Sequence, residues 1–294
     1  MAFYHIPVLL RESIESLAIK PEGVYVDATF GGGGHSRSIL EQLGPKGRLL
    51  AFDQDPESQH NLPDDNRIKW IHSNFRFIHN VCRYHGISRA DGILADLGVS
   101  WHQFDTAVRG FSFRFDALLD MRMNPASDKT AALVVNEYSR EDLTALFYRY
   151  AGVNNASALS GAIVKARTIK PVNTTGDLHH ALEGLIPRNA EHKFLAKVYQ
   201  ALRIEVNDEM RALEGLLDQS LALLNDGGRL VVITYHSLED RMVKHFFREK
   251  AAAGLLKQVN KKPILPQENE ISENTRARSA KLRAAEIIKE HDHE

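Results

Sequence analysis

Hydrophobic residues in this chain come in short runs and in spaced stripes, and the two alternate. The runs at 24–29, 48–52, 68–72, 91–96 and 229–235 are largely apolar and read as buried strands. The stripes read as helices. Residues 7–18 place Val8, Leu9, Ile14 and Leu17 on a helical spacing, residues 36–43 form a second helix, and Asp55-Pro56-Glu57 opens a weak third. Lys20-Pro21-Glu22-Gly23 marks a turn. Strands alternating with helices predict a parallel α/β sheet.

The alternation is interrupted once. After the strand at 91–96 the next sheet strand lies at 229–235, behind a helix over about 207–224 and the turn Asn225-Asp226-Gly227-Gly228. That gap exceeds a normal crossover, so residues 105–198 are expected to be an insertion between core segments 1–104 and 199–294. Within it, residues 130–138, 140–150, 156–170, 175–184 and 190–201 carry helical spacing, with Ser139 and Thr174 or Thr175 as N-caps. The expectation is an all-helical subdomain, placed over a ligand cleft and used in substrate recognition. Past residue 235, residues 255–260 and the alternating stretch 274–283, the latter suited to an edge strand, predict a closing antiparallel hairpin. Such a hairpin is characteristic of methyltransferase sheets and not of dinucleotide folds.

The first strand ends in Phe30-Gly31-Gly32-Gly33-Gly34-His35 and the second ends on Asp53. Glycines let a ligand lie against bare backbone, and the following helix offers unpaired N–H groups. A carboxylate about 20 residues beyond the loop is placed to accept both hydroxyls of a ribose. A nucleoside-bearing cofactor follows; the plainer alternative is a merely flexible loop. The fingerprint G-x-G-x-x-G fails in both registers, because Ser36 or Arg37 stands where its third glycine belongs, and no P-loop motif is present. Asp27, just before the glycines, suits a cationic ligand without phosphates. S-adenosylmethionine fits that description.

Composition narrows the setting. The chain has 294 residues, 43% hydrophobic, enough for a large core. One cysteine, Cys82, excludes an internal disulfide framework and a cysteine metal site, and its surroundings mark it as a small core residue. No apolar run reaches the roughly 20 residues that span a bilayer, and residues 1–5 lack the character of a signal peptide. A cytoplasmic protein is expected, with no membrane partner, no obligate protein partner and no metal; histidines in the terminal His291-Asp292-His293-Glu294 have no scaffold. Net charge is −1, so bulk attraction does not hold nucleic acid. Yet residues 241–283 carry eleven Lys and Arg against four Asp and Glu, an excess that faces either phosphate or plain solvent.

Further candidates sit at strand tips. Asp96 ends the fourth strand beside Gly98, and Phe75 follows the third, where it either lines an adenine or packs in the core. Arg109-Gly110-Phe111-Ser112-Phe113 mixes aromatics with arginine, to stack a splayed base or to anchor the insertion. Ser237 caps a helix with Asp240 three residues on, and His236 stands at the ligand edge.

Taken together, His5-Ile6-Pro7-Val8-Leu9, the stretch from Asp27 through the glycines to Ser36, Ala51-Phe52-Asp53-Gln54-Asp55-Pro56, Asp96-Leu97-Gly98-Val99-Ser100, Arg109-Gly110-Phe111-Ser112-Phe113, Asp120-Met121-Arg122-Met123, His236-Ser237-Leu238-Glu239-Asp240-Arg241 and Arg276-Ala277-Arg278-Ser279-Ala280-Lys281-Leu282-Arg283 resemble the bacterial MraW/RsmH family. The match runs in order from His5 to about Ile287. Trp101-His102 and Asn274-Thr275 depart from the common pattern, and the loop between Lys262 and Asn274 is short. The resemblance implies a class I, Rossmann-like S-adenosylmethionine-dependent methyltransferase fold with an inserted helical subdomain. It implies methylation of N4 of a cytosine in the decoding centre of 16S ribosomal RNA in the small subunit, with S-adenosylhomocysteine as product. Carried over by motif, Gly33, Gly34, His35, Asp53, Phe75, Asp96 and Gln103 bind the cofactor. By position, Asp96 is also the candidate proton acceptor. Arg109, Phe111, His236, Arg241, Arg276 and Arg278 are candidates for contact with RNA. The competing readings are an RNA-independent small-molecule or protein methyltransferase and a non-catalytic S-adenosylmethionine-binding assembly factor.

Overall fold

The computed structural model describes residues 7–100, 103 and 106–289. The readings made of residues 1–6, of Trp101 and His102, and of residues 290–294 lie outside these. The chain divides into two units, residues 1–98 with 211–294, and residues 99–210.

The first unit is built on a seven-stranded sheet of order β3-β2-β1-β4-β5-β7-β6. Strands β1 (Val24–Asp27), β2 (Arg48–Asp53), β3 (Ile68–His72), β4 (Ala90–Asp96) and β5 (Leu224–Thr234) are parallel; β7 (Lys281–Ile287) runs antiparallel to β5 and to β6 (Leu256–Gln258). This is the class I methyltransferase sheet that the closing hairpin led us to expect. The strands are apolar throughout because both faces are covered. Val26, Leu50, Phe52, Ile93, Leu230 and Val232 pack in one layer, with α3 (Ile78–Tyr84), α9 (Glu209–Leu223) and α10 (Ser237–Ala252). Tyr25, Leu49, Ala51, Leu94, Val231 and Ile233, the alternate positions, pack in the other, with α1 (Leu10–Leu17) and α2 (Gly34–Gln42). Cys82 is buried in α3, and its thiol is pushed up to about 12 by that burial, so it is a core residue.

Three local expectations need correction. Residues 274–283 are not an edge strand: Thr275–Ser279 is a 3-10 turn, and β7 lies inside the sheet while β6 holds the edge. The turn residues Asn225-Asp226-Gly227-Gly228 fall within β5, where the pairing with β4 shifts register and Gly227 takes φ +70°. The helix expected from residue 207 starts at Glu209, because Asp208 turns left-handed at φ 51°.

The second unit is all helical: α4 (Ala131–Glu137), α5 (Arg140–Leu146) with a π turn over Phe147–Ala151, α6 (Ala156–Arg167), α7 (Thr175–Leu182) and α8 (Glu191–Asn207). Ser139 caps α5 and Thr174 caps α7 in a reciprocal capping box with Asp177. Its core joins Val134, Leu143, Leu159, Leu178 and Leu195 to Val198, Tyr199, Leu202 and Val206 of the same long helix. That packing moves the unit's boundaries from the expected 105 and 198 to 99 and 210, since a cut at 198 would split α8 through its buried face. Among the described residues no helix is long and apolar enough to cross a membrane.

Candidate active site

The parallel strands all deliver their C-terminal ends to one edge of the sheet, and the acids Asp27, Asp53 and Asp96 stand there. In an open α/β sheet this edge is where ligands bind. The glycine loop crosses it. Gly31 and Gly33 have φ +50° and +74°, values that L side chains rarely adopt, and Gly33 is the N-cap of α2. The helix therefore begins at Gly34, two residues earlier than the spacing indicated. Gly34 and His35 consequently sit in its first turn, where backbone N–H groups have no helical partner. A side chain on Gly32 would enter open space, whereas a Cβ on Gly34 would lie 2.2 Å from Pro7 Cγ.

Asp27 does not face a ligand. It is 1% exposed, accepts the Thr29 N–H at 3.1 Å and the Ser36 hydroxyl at 2.7 Å, and so braces the loop against α2. Burial pushes it up to about 6. Asp53 is better placed for a ligand. Its two oxygens each accept one backbone N–H, from Gly31 and Asp55, both at 2.8 Å, which fixes the carboxylate at the strand tip. Burial pushes it, too, up to about 6.

His35 is buried and neutral. Its Nε2–H donates to the Val8 carbonyl at 3.2 Å, tying the N-terminal segment to the loop. Burial lowers it to about 4. Its Nδ1 lies 3.8 Å from Asp96 Oδ2, beyond hydrogen-bond reach, and a neutral ring makes no ion pair.

Asp96 has a partner that the sequence did not announce. The Tyr235 hydroxyl, one residue past β5, donates to Asp96 Oδ1 at 2.7 Å. The Asp96 carboxyl is pushed up to about 7, chiefly by burial; the Tyr235 hydrogen bond opposes this, and Asp27 and Glu239 add to it. Tyr235 is itself raised far above its usual range, by burial and then by Asp96. Glu239 accepts the Tyr235 N–H at 2.8 Å and the His236 N–H at 3.2 Å, which sets the strand-to-helix turn.

His236, and not Ser237, is the N-cap of α10, and Glu239, not Asp240, is its reciprocal partner. The ring accepts from the Glu239 N–H, and its Nε2 lies 3.1 Å from Glu239 Oε1, off the hydrogen-bond angle. Nδ1 is thus spent on the turn, while Nε2 is buried and makes no hydrogen bond among the described residues. Phe75 sits half-buried beyond β3, at the start of a 3-10 turn, and packs against one sheet layer.

Within the basic excess over residues 241–283, Lys281 and Arg283 are engaged inside the fold. Asp240 accepts from Arg283 at 2.8 Å and from Lys281 at 3.2 Å. Arg241 and Arg278 are exposed and Arg276 is half-buried. In the helical unit, the Arg109 guanidinium donates to the carbonyls of Arg122 and Met123 at 2.9 and 3.2 Å, and Phe111 lies in the hydrophobic core. Both are held by contacts within the helical unit itself. Gln103 belongs to the same unit, buried, with Oε1 accepting the Ser100 N–H at 3.2 Å.

The residues fit S-adenosylmethionine. Carboxylates crowd this edge, which repels a pyrophosphate and favours a cation, while Asp53 offers a fixed acceptor for a diol and the first turn of α2 offers N–H groups for a carboxylate.

The profile of the MraW methylase family matches residues 2–288. The Ribosomal RNA small subunit methyltransferase H of Parabacteroides distasonis is 52% identical over 298 residues, 97% of this chain and 98% of that protein. Its namesake in Flavobacterium johnsoniae is 50% identical over 297 residues, 97% of this chain and 98% of that protein. Among solved structures, an rRNA methylase from Streptococcus thermophilus aligns over 97% of this chain and 99% of that one, at 14% identity and a TM-score of 0.42.

Proposed function

The chain belongs to the MraW methylase family, and on that premise we propose that it methylates N4 of a cytosine in the decoding centre of 16S rRNA within the small ribosomal subunit. Support for an rRNA substrate comes from relatives of about half-identical sequence, matched end to end and named as small-subunit rRNA methyltransferases. Support for an amine acceptor comes from Asp96, a carboxylate at the ligand edge that titrates near neutrality.

Bound at this edge, S-adenosylmethionine supplies a methyl group activated by a cationic sulfur. Asp53 holds the ribose hydroxyls, Phe75 borders the adenine, and the backbone of Gly33, Gly34 and His35 receives the amino acid end. With the donor already activated, the protein's work is orientation and exclusion of water. An exocyclic amine is a weak nucleophile because its lone pair is delocalised into the ring. Asp96, when ionised, accepts a hydrogen bond from N4 and then the proton that N4 sheds as it gains the methyl group. The released thioether is S-adenosylhomocysteine, and Asp96 passes its proton to water. Arg241, Arg276 and Arg278 position RNA phosphates, and the helical unit takes part in substrate recognition.

The test is methyl transfer from labelled S-adenosylmethionine to small subunits lacking the modification, alongside naked 16S RNA, with nucleosides identified after digestion. Label in N4-methylcytidine is the expected result. Label in another nucleoside would overturn the assignment of the target atom. Cofactor binding with no label in any RNA would favour a binding protein.

A further inference from the structure

The sheet's other edge carries a feature that methyl transfer does not use. A cleft of about 530 Å³ opens there, lined by His79 and Arg83 of α3, by Ser88 and Arg89 just before β4, and by Lys289 just after β7. All belong to the first unit. Every ionisable side chain among these lining residues is basic. Arg89 donates to the Ala222 carbonyl, which fixes its guanidinium at the wall. The Lys289 ammonium is held below its usual value, by burial and then by Arg89 beside it, with Asp226 opposing. Asp226 accepts the Lys289 backbone N–H at 2.9 Å. Like charges gathered at this shallow, open cleft attract an anion.

Two observations choose among anions. Tyr84, one residue past Arg83 and outside the lining itself, is 85% exposed, with its ring in T-shaped contact with His85 at 5.1 Å between centroids. Aromatic and basic residues together suit nucleotides, whose bases stack and whose phosphates pair. Second, the seven residues of β4 separate this cleft from Asp96. At about 3.3 Å per residue the two lie about 20 Å apart, a span that a small ligand does not bridge and an extended polyanion does.

We propose that the His79–Arg83–Arg89–Lys289 cleft is a second binding site, for the phosphodiester backbone of RNA remote from the methylated base. It rests on the reading of the substrate as RNA, and deepens it: the protein grips its substrate at both edges of the sheet. A chain with a net charge of −1 needs such local cationic sites to hold a polyanion.

The test is a charge reversal at two lining positions, Arg83→Glu with Lys289→Glu, in the full chain. Neither contributes to the ligand edge. RNA binding is measured without cofactor from 50 to 200 mM KCl, and KM and kcat are measured on small subunits. The double variant is expected to bind RNA about 10-fold more weakly and to lose about 2 from the slope of log affinity against log salt, since each phosphate contact contributes about 0.9. KM rises with kcat and S-adenosylmethionine affinity unchanged, and rescue by Arg83→Lys with Lys289→Arg separates charge from folding. An unchanged slope and KM would overturn the proposal. So would loss of inorganic phosphate binding in the variant with RNA binding intact, which would make the cleft a site for a free anion. A wild-type protein that binds RNA through the cleft yet transfers no methyl group would count against the reaction and not against the cleft.

Discussion

Tyr235 Oη donates to Asp96 Oδ1 at 2.7 Å, joining the ends of two adjacent parallel strands. This bond favours the ionised carboxylate against burial and against Asp27 and Glu239, all of which favour the protonated form. Tyr235→Phe removes the only one of these influences that pulls Asp96 down. The expected outcome is an Asp96 titration above 7, so the ascending limb of kcat against pH moves to higher pH while the rate on its plateau changes little. A pH profile of single-turnover rate reads this; a purely structural tyrosine would lower the rate equally at every pH.

Cofactor affinity should depend on pH with a definite sign. Asp27 and Asp53 titrate at about 6 and Asp96 at about 7. Below pH 6 they are largely protonated; above 7 they are negative, and Asp53 and Asp96, which unlike Asp27 are partly exposed at the ligand edge, attract a sulfonium. The Kd of S-adenosylmethionine is expected to fall by about 10-fold from pH 5.5 to 8, and that of S-adenosylhomocysteine, with a neutral sulfur, to fall less. Titration calorimetry at the two pH values compares them. Through these three acids the ligand-free protein loses stability as pH rises from about 4 to 7, while His35, lowered to about 4, contributes with the opposite sign. Over that window the folded state holds protons that the unfolded chain has released.

Gly34→Ala should be costly although Gly34 is helical. Its Cβ would meet the Pro7 ring at 2.2 Å, and that ring cannot rotate away. We expect a loss of about 1–3 kcal/mol in urea unfolding, typical of overpacking, together with weaker cofactor binding as the contact from His35 to Val8 loosens.

Asp240→Ala should destabilise more. Arg283 is 5% exposed and would be left as a buried charge without its carboxylate. Removing one partner of such a pair costs about 3–5 kcal/mol, and Asp240→Leu with Arg283→Met should recover most of it. Urea midpoints of the single and double variants measure this.

Much of this fold is legible in the sequence because its signals are local. The strand ends at Asp53 and Asp96, the caps at Ser139 and Thr174, and the helical spacing of the second unit each depend on neighbours within a few residues. What escapes the sequence is set by contacts that residue spacing does not encode, some of them distant and some close in the chain. Tyr235 is ordinary until β5 lies beside β4. Asp27 looks like a ligand contact until Ser36 and Thr29 close on it. Both His236 with Glu239 and Ser237 with Asp240 satisfy a cap-and-acid spacing, and the choice falls to Glu239 because it also accepts the Tyr235 N–H. Phe111 beside arginine reads equally as base stacking or as an anchor of the insertion, and the structure places its side chain in the helical unit's own core.

The central claim is that Asp96 receives the amine's proton, and the most direct measurement is the single-turnover rate of Asp96→Asn on small subunits across pH 5.5 to 9, with cofactor affinity measured in parallel. The account predicts a loss of at least 100-fold, within the usual range for a general base, and no rising limb near pH 7, with S-adenosylmethionine still bound. A variant that binds cofactor and methylates at the wild-type rate would contradict it.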